Sequence, residues 1–381
     1  MGAGNRKSIL IIDNSIAITG ALKAIVNATS HLSTEFRFIF VLPQKTTAAE
    51  FVRANGFEVH KLPFSEISKR PQDLILYAPY LLLNAIRLKK MANRYGVQVV
   101  HVNDFYNMVG IGAKLLGANY SIITHVRFMP QRFMAVLANT WAKLNLQYAQ
   151  HIICVSEAVR AFFPVVDKVI VIPDPIPESE NHPVKVISTE QQQDKEVHLL
   201  YLSNFIRGKG QDYALTAFKE AYKINKRLRL AFAGGDMGLE KNQAFKAELQ
   251  QDVVNSGLEK VVTFEKFVQD VESRMKAADI LLNFSESESF SLTCLDALFY
   301  GVPLIASDCG GPAELFENGK SGYLVPNKDL QEMKNAILKL ASNLKERKMF
   351  AEAGKYYVRY KFSAEKSYSQ LNNLYVTYTT S

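Results

Sequence analysis

The chain has 381 residues, 48% hydrophobic and 22% charged, which excludes extended disorder and allows two domains of ordinary size. Its net charge of +8 is uneven: residues 1–180 carry 19 Lys or Arg against 12 Asp or Glu, while the remainder is nearly balanced. A basic first half suits an anionic partner such as a membrane surface, and equally a solvated surface with no partner.

In chain order, apolar strand candidates fall at 9–12, 36–41, 97–102, 121–125, 151–155 and 169–172, with helical patterns between them such as 21–31 and 77–95. The opening runs straight into a strand with no cleavable signal peptide, and Arg6 breaks the myristoylation pattern. The stretch 74–86 is too short to span a bilayer and reads as a buried helix. Residues 128–134, FMPQRFM, set apolar side chains beside Arg127 and Arg132, which suits either a lipid headgroup region or core packing of the next helix. A polar, proline-containing linker is expected at 177–196. Beyond it the alternation resumes, with strands at 198–203, 229–233, 261–265, 280–284, 304–306 and 323–325 and helices at 211–224, 240–254, 291–300 and 329–341. This order predicts an α/β protein of two doubly wound domains, 1–176 and 197–360, with ligands in a cleft at the carboxyl ends of the strands. Cys154, Cys294 and Cys309 have no ligand or disulfide spacing and read as buried apolar side chains in a reducing cytoplasm.

Residues 288–315, ESFSLTCLDALFYGVPLIASDCGGPAEL, carry the chemistry. Glu288 and Asp296 stand eight positions apart, and Ser291 can cap the helical run that begins at Leu292. Gly301 and Pro303 end that helix before a short strand, and Gly310, Gly311 and Pro312 open another helical turn. Two helix N-termini beside one pocket would offer N–H groups and partial positive charge to an anion such as a diphosphate.

The segment resembles the donor-binding signature of the retaining glycosyltransferases of the GT-B fold, family 4. In that signature Glu, seven residues and a second acid precede a Gly-Gly-x-x-Glu turn. Glu314 and the tail GKSGYLVPNKD at 319–329 continue the pattern, as does SNFIRGKG at 203–210, which is similar to the family's Gly-Arg-Leu-x-x-x-Lys-Gly loop. The resemblance implies a GT-B fold whose last helix, at 361–381, crosses back to the first domain with Phe362, Leu371, Leu374 and Tyr375 on one face. It implies catalytic roles for Lys209 on the donor diphosphate, for Glu288 on hydroxyls of the transferred sugar, and for His125 near that sugar. Asp296 would bind the ribose, and Ser289, Phe290, Ser291 and Leu292 would line the donor. Ser289 and Ser291 stand where the family usually has glycine, and Asn204 falls on the family arginine, with Arg207 as a substitute charge. Gly20 lies where the family's glycine-rich loop approaches the diphosphate, and Asp104 and Arg127 fall on the acceptor side, with a helix cap as the other reading of Asp104.

The implied reaction moves a sugar from a UDP- or GDP-type donor, with no cofactor and no metal, to a glycan or lipid-linked saccharide at the inner face of the cell membrane. Neither an Asp-x-Asp motif at a strand end nor a nucleic-acid module occurs. Departures at Asn204, Ser289, Ser291 and Asp296 motivate the alternative of a degenerate, non-catalytic glycan-binding subunit.

Overall fold

In the computed structural model, residues 6–64, 71–177 and 195–380 are described, the side chains of 71–76 excepted, so the expected linker lies almost wholly outside them. The chain forms two units. One runs to Asp174 and resumes at Glu365, and the other is Pro175–Ala364.

The first unit is built on seven parallel strands: β1 (Lys7–Ile12), β2 (Phe36–Pro43), β3 (Glu58–Leu62), β4 (Val97–Val102), β5 (Ser121–Val126), β6 (His151–Cys154) and β7 (Val169–Val171). Their order is β3-β2-β1-β4-β5-β6-β7. Strand β3 has no counterpart in the sequence reading, because EVHKL is an edge strand with only Leu62 buried, and its pattern is neither an apolar run nor a clean alternation. The second unit holds β8 (Val197–Leu202), β9 (Leu228–Ala233), β10 (Val262–Glu265), β11 (Ile280–Asn283), β12 (Leu304–Ser307) and β13 (Gly322–Val325), all parallel, in the order β10-β9-β8-β11-β12-β13. Strand order reverses between β1 and β4 in one sheet and between β8 and β11 in the other. In doubly wound sheets a crevice opens at such a point, beyond the carboxyl ends of the strands.

The three cysteines are buried and free. Among the described residues no helix is long and apolar enough to cross a membrane. The apolar stretch at 74–86 lies in the helix Pro71–Tyr95 but is not buried as expected, since Tyr80, Leu82, Leu83 and Ile86 are exposed.

The last helix, Ala364–Thr379, packs in the first unit through Ser367, Tyr368, Leu371, Tyr375 and Thr379. Phe362 is not part of that face. It precedes the helix, and its ring lies 5.5 Å from Phe290 in the second unit. Tyr375 is fully buried, its ring 5.6 Å from Phe36 and 5.8 Å from Phe38, and its hydroxyl 2.7 Å from His101 Nδ1. Tyr375→Ala should therefore destabilise the first unit by about 3–5 kcal/mol, as for other large aromatic truncations in cores. Trp141, the chain's only tryptophan, is buried in this unit, so its fluorescence in a urea titration reads that loss directly.

Candidate functional site

Lys209 follows β8 and Glu288 follows β11, so the two loops meet at the point where strand order reverses. Lys209 Nζ donates to Glu288 Oε1 at 2.7 Å. The Ser285 hydroxyl lies 2.9 Å from the same carboxylate oxygen and 3.2 Å from the Lys209 carbonyl. The Tyr201 hydroxyl donates to the Lys209 carbonyl and accepts from the Phe284 N–H at 2.8 Å, fastening the two loops to each other. Gly210 makes that approach possible. Its φ is +83°, and a Cβ there would stand 2.0 Å from the Phe284 carbonyl oxygen.

Glu288 is fixed through its backbone as well. Its N–H donates to the Cys309 carbonyl at 3.2 Å, and its carbonyl accepts from the Gly311 N–H at 2.9 Å. A Cβ on Gly311 would fall 2.3 Å from Phe290 Cα and 2.5 Å from the Ser289 carbonyl oxygen, so the glycine pair serves to seat the 288–290 backbone. Of the two helix N-termini expected here, only that of the helix Leu292–Phe299 forms, because 311–314 makes a short 3-10 turn.

Ser291 holds the left-handed conformation, φ +86°, which a glycine adopts without cost. Its hydroxyl offsets part of that strain by capping the Cys294 N–H at 3.4 Å and accepting from Asn283 Nδ2 at 3.1 Å. Phe290 is buried, its ring against Phe362. Leu292 opens the helix, and half-buried Asp296 lies on it. Burial first, and then the Asp296 charge, push the Tyr300 phenol up to about 12.

Asn204, at the position of the family arginine, makes a structural bond through its side chain. Its Oδ1 accepts from the Gly235 N–H at 3.3 Å and ties the β8 loop to the loop after β9. Arg207 does not replace the missing arginine in this structure. Its exposed guanidinium pairs with Glu248 and lies 4.9 Å above the Phe245 ring, both on the helix Glu240–Asn255. The Glu314 carbonyl accepts from Tyr357 and Lys361, each at 3.1 Å.

The first unit gathers a second cluster at its own point of reversal, where Asp13 follows β1 and Asn103 and Asp104 follow β4. Arg127, expected on the acceptor side, is buried and turned to polar groups of its own unit. Its Nη1 lies 2.7 and 2.8 Å from the two Asp174 oxygens, and its Nε donates to Asn103 Oδ1 at 2.6 Å. Asn103 in turn donates to Asp13. Gly20 is exposed in the first turn of the helix Gly20–His31, which Thr19 caps, and the carbonyl of its neighbour Ala21 accepts from Asn103 Nδ2 at 3.3 Å.

Arg127 Nη2 also lies 3.3 Å from His125 Nδ1. A guanidinium has no acceptor, so Nδ1 must accept and the ring proton sits on Nε2. His125 is thus a neutral Nε2–H donor, and that atom is buried with no hydrogen-bond partner. Burial first, then the Arg127 charge, hold its pKa well below the usual histidine value. Asp13, Asn103, Asp174 and His101 were missed from sequence. Asp13 and Asn103 carry the signal of polar residues directly after apolar strands, whereas nothing local marks Asp174.

Among the described residues no three His, Cys, Asp or Glu side chains are grouped to hold a metal ion. The family model described as Glycosyl transferases group 1 matches residues 185–356, and that of Glycosyltransferase Family 4 matches residues 31–180. N-acetyl-alpha-D-glucosaminyl L-malate synthase of Bacillus anthracis is 22% identical over 334 residues, covering 82% of this chain and 83% of that protein. Lipopolysaccharide 1,6-galactosyltransferase of Salmonella typhimurium is 30% identical over 142 residues, 36% of this chain and 38% of the relative. The crystal structure of Anabaena HepE in complex with UDP-glucose matches with a TM-score of 0.81 and 20% identity, covering 97% of this chain and 99% of that one. Sucrose-phosphate synthase from Thermosynechococcus elongatus matches with a TM-score of 0.78 and 18% identity, covering 98% and 99%. At these identities the structural likeness speaks for the fold.

The buried ionisable groups of the first unit set a pH dependence. Burial pushes the Asp104 carboxyl up to about 8, with the Asp13 charge adding to the rise and backbone hydrogen bonds at Phe105 and Arg127 opposing it. Folded Asp104 keeps its proton where the unfolded chain, with an ordinary value of 3.8, has lost it, so stability falls as pH rises toward 8. His125 and His101, the latter held down to about 3, act oppositely: below their ordinary value of 6.5 the unfolded chain binds protons that the folded unit refuses. From about one pH unit above 6.5 up to 8 these histidines are almost wholly neutral in both states, and Asp104 sets the slope. The wild type should lose up to about 1.4 kcal/mol of stability per pH unit there, and Asp104→Asn should flatten the slope. Urea titrations followed by Trp141 fluorescence at both ends of the window check this, and an unchanged slope in the variant would refute it.

Proposed function

The chain belongs to the family 4 glycosyltransferases of the GT-B fold, and on that premise we propose that it transfers a hexose from a nucleoside diphosphate sugar to a glycan or lipid-linked saccharide with retention of configuration. The observation that supports this most is the Lys209–Glu288 pair, held at 2.7 Å beyond β8 and β11 on residues that match the family's lysine and first acid. Glu288 is largely buried and Lys209 partly so, and both are held by neighbouring backbone, so little reorganisation is needed when a donor arrives.

Lys209 meets the diphosphate as a compact charge, and Glu288 accepts from hydroxyls of the sugar. The first amides of the helix Leu292–Phe299 add partial positive charge to the same anion. His125 supplies an Nε2–H donor and cannot act as a base through that atom. The bond from the anomeric carbon to the leaving phosphate oxygen breaks, and the acceptor oxygen bonds to that carbon on the same face. The acceptor proton passes to the leaving diphosphate, so no enzyme base is required. The UDP-glucose bound to HepE supports UDP as the first nucleotide to test, and the lipopolysaccharide galactosyltransferase supports an envelope glycan as acceptor.

A second, non-catalytic reading is favoured by one observation: Asn204 carries no charge and Arg207 is held on another helix. Thermal unfolding with UDP, GDP or ADP separates the two. A nucleotide at about a hundred times its dissociation constant should add about 2.7 kcal/mol to the second unit. Lys209→Ala should abolish that gain and lower kcat by about 10²–10³, whereas Arg207→Ala should leave the gain intact. No response of the wild type to any of the three favours the non-catalytic reading.

A further inference from the structure

A cavity of about 590 Å³ opens within the first unit, beyond the carboxyl ends of β1 to β4. One wall is the helix Pro71–Tyr95, which contributes Tyr77, Tyr80, Leu81 and Asn84. The facing wall includes Phe128, Phe133 and Trp141. Among the described residues Lys45 is the one charged residue in the lining.

Both walls continue outward as exposed apolar surface. On the helix, Leu82 (53% exposed), Leu83 and Ile86 project away from the core, with Tyr80 at the seam between that face and the cavity. At 100° per residue these positions share a face with Arg87, Lys90 and Arg94, while Ala85, Leu88 and Ala92 are buried on the opposite side. Across the cavity, Phe128 (50%), Met134 (62%) and Val136 (75%) are exposed, and Arg132 lies among them. Among the described side chains of these two segments the charge is of one sign. Residues 77–95 hold four Lys or Arg and no carboxylate, and residues 128–148 hold two and none. Apolar side chains interleaved with cations match the boundary of an anionic bilayer, where the side chains enter and the cations meet lipid phosphate. A second copy of this face would oppose like charges.

We propose that this surface docks the first unit on an anionic bilayer, with the cavity mouth at the lipid boundary, and that the acceptor is an amphiphile carried in that bilayer. The proposal rests on the transferase reading for the word acceptor, but the docking surface stands on unit-one residues alone. The aromatic rings and the Asn14, Gln44, Asn84 and Asn107 amides of the lining suit stacking on, and hydrogen bonding to, an uncharged sugar.

The test is co-sedimentation of the full chain with vesicles of phosphatidylglycerol and phosphatidylcholine in equal parts, and with phosphatidylcholine alone, at low and high salt. The wild type should sediment with the anionic vesicles and be released by salt. Arg87→Gln/Lys90→Gln should weaken binding about thirtyfold, the loss expected for two cations at an anionic surface. Leu82→Ser/Ile86→Ser should weaken it at least about tenfold, with unchanged Trp141 fluorescence showing that the unit remains folded. Absence of wild-type binding, or variants that bind as the wild type does, overturns the proposal. Nucleotide-dependent stabilisation, measured on the same samples, keeps the two readings apart. Its presence without vesicle binding leaves the transferase and removes the docking surface, and vesicle binding without it does the reverse.

Discussion

The contact of Gly210 with the Phe284 carbonyl is the constraint on which the second unit's site depends. Lys209 and Glu288 are 79 residues apart, and neither loop is long enough to search for the other. They meet because β8 and β11 are hydrogen-bonded neighbours and because no side chain separates the backbone of 210 from that of 284. Gly311 does the same for Glu288 from the other side. Tyr201 joins the arrangement by donating to one loop and accepting from the other, so a single buried hydroxyl satisfies two backbone groups that strand ends would otherwise leave unpaired.

The first unit solves a different problem. It buries Asp13, Asp104, Asp174, Arg127 and two histidines around the carboxyl ends of its central strands, a costly set of groups unless they answer one another. Arg127 carries most of the answer: its fork reaches Asp174 and Asn103, and its remaining nitrogen fixes the tautomer of His125. The histidines stay neutral because burial and the same guanidinium both penalise their charge. What results is a rigid donor at His125 whose proton position does not depend on pH near neutrality.

Much of the fold was legible in the sequence because central parallel strands are continuous apolar runs, and twelve of the thirteen strands among the described residues are of that kind or close to it. Strand β3 escaped because its residues face solvent on one edge. The donor-side motif was legible because close backbone approach demands glycine at 210 and 311, and glycine is visible in a sequence. Side-chain direction was not legible. Arg207 lies in the expected loop but turns to Glu248 and Phe245, and Arg127 lies at the expected strand end but turns inward to Asp174, a partner 47 residues away with no local signature. The stretch at 74–86 was expected to be buried on hydropathy alone, and the outcome depended on how many faces of its helix the sheet could cover.

The departures from the family pattern at 204 and 291 acquire a common meaning from these contacts. Asn204 exchanges a mobile charge for a bond that anchors the β8 loop to Gly235, and Ser291 keeps a glycine's backbone conformation while adding a cap to the helix Leu292–Phe299. Both changes give up freedom or charge and add fixed hydrogen bonds. A site built this way would hold a diphosphate through one ammonium and a helix terminus worth roughly half a charge, positioned in advance, rather than through several flexible cations. Such an arrangement weakens long-range attraction for the nucleotide but leaves less entropy to be lost when it binds. Positive charge in this protein is instead concentrated in the first half of the chain, which suits an extended anionic surface more than a single ligand.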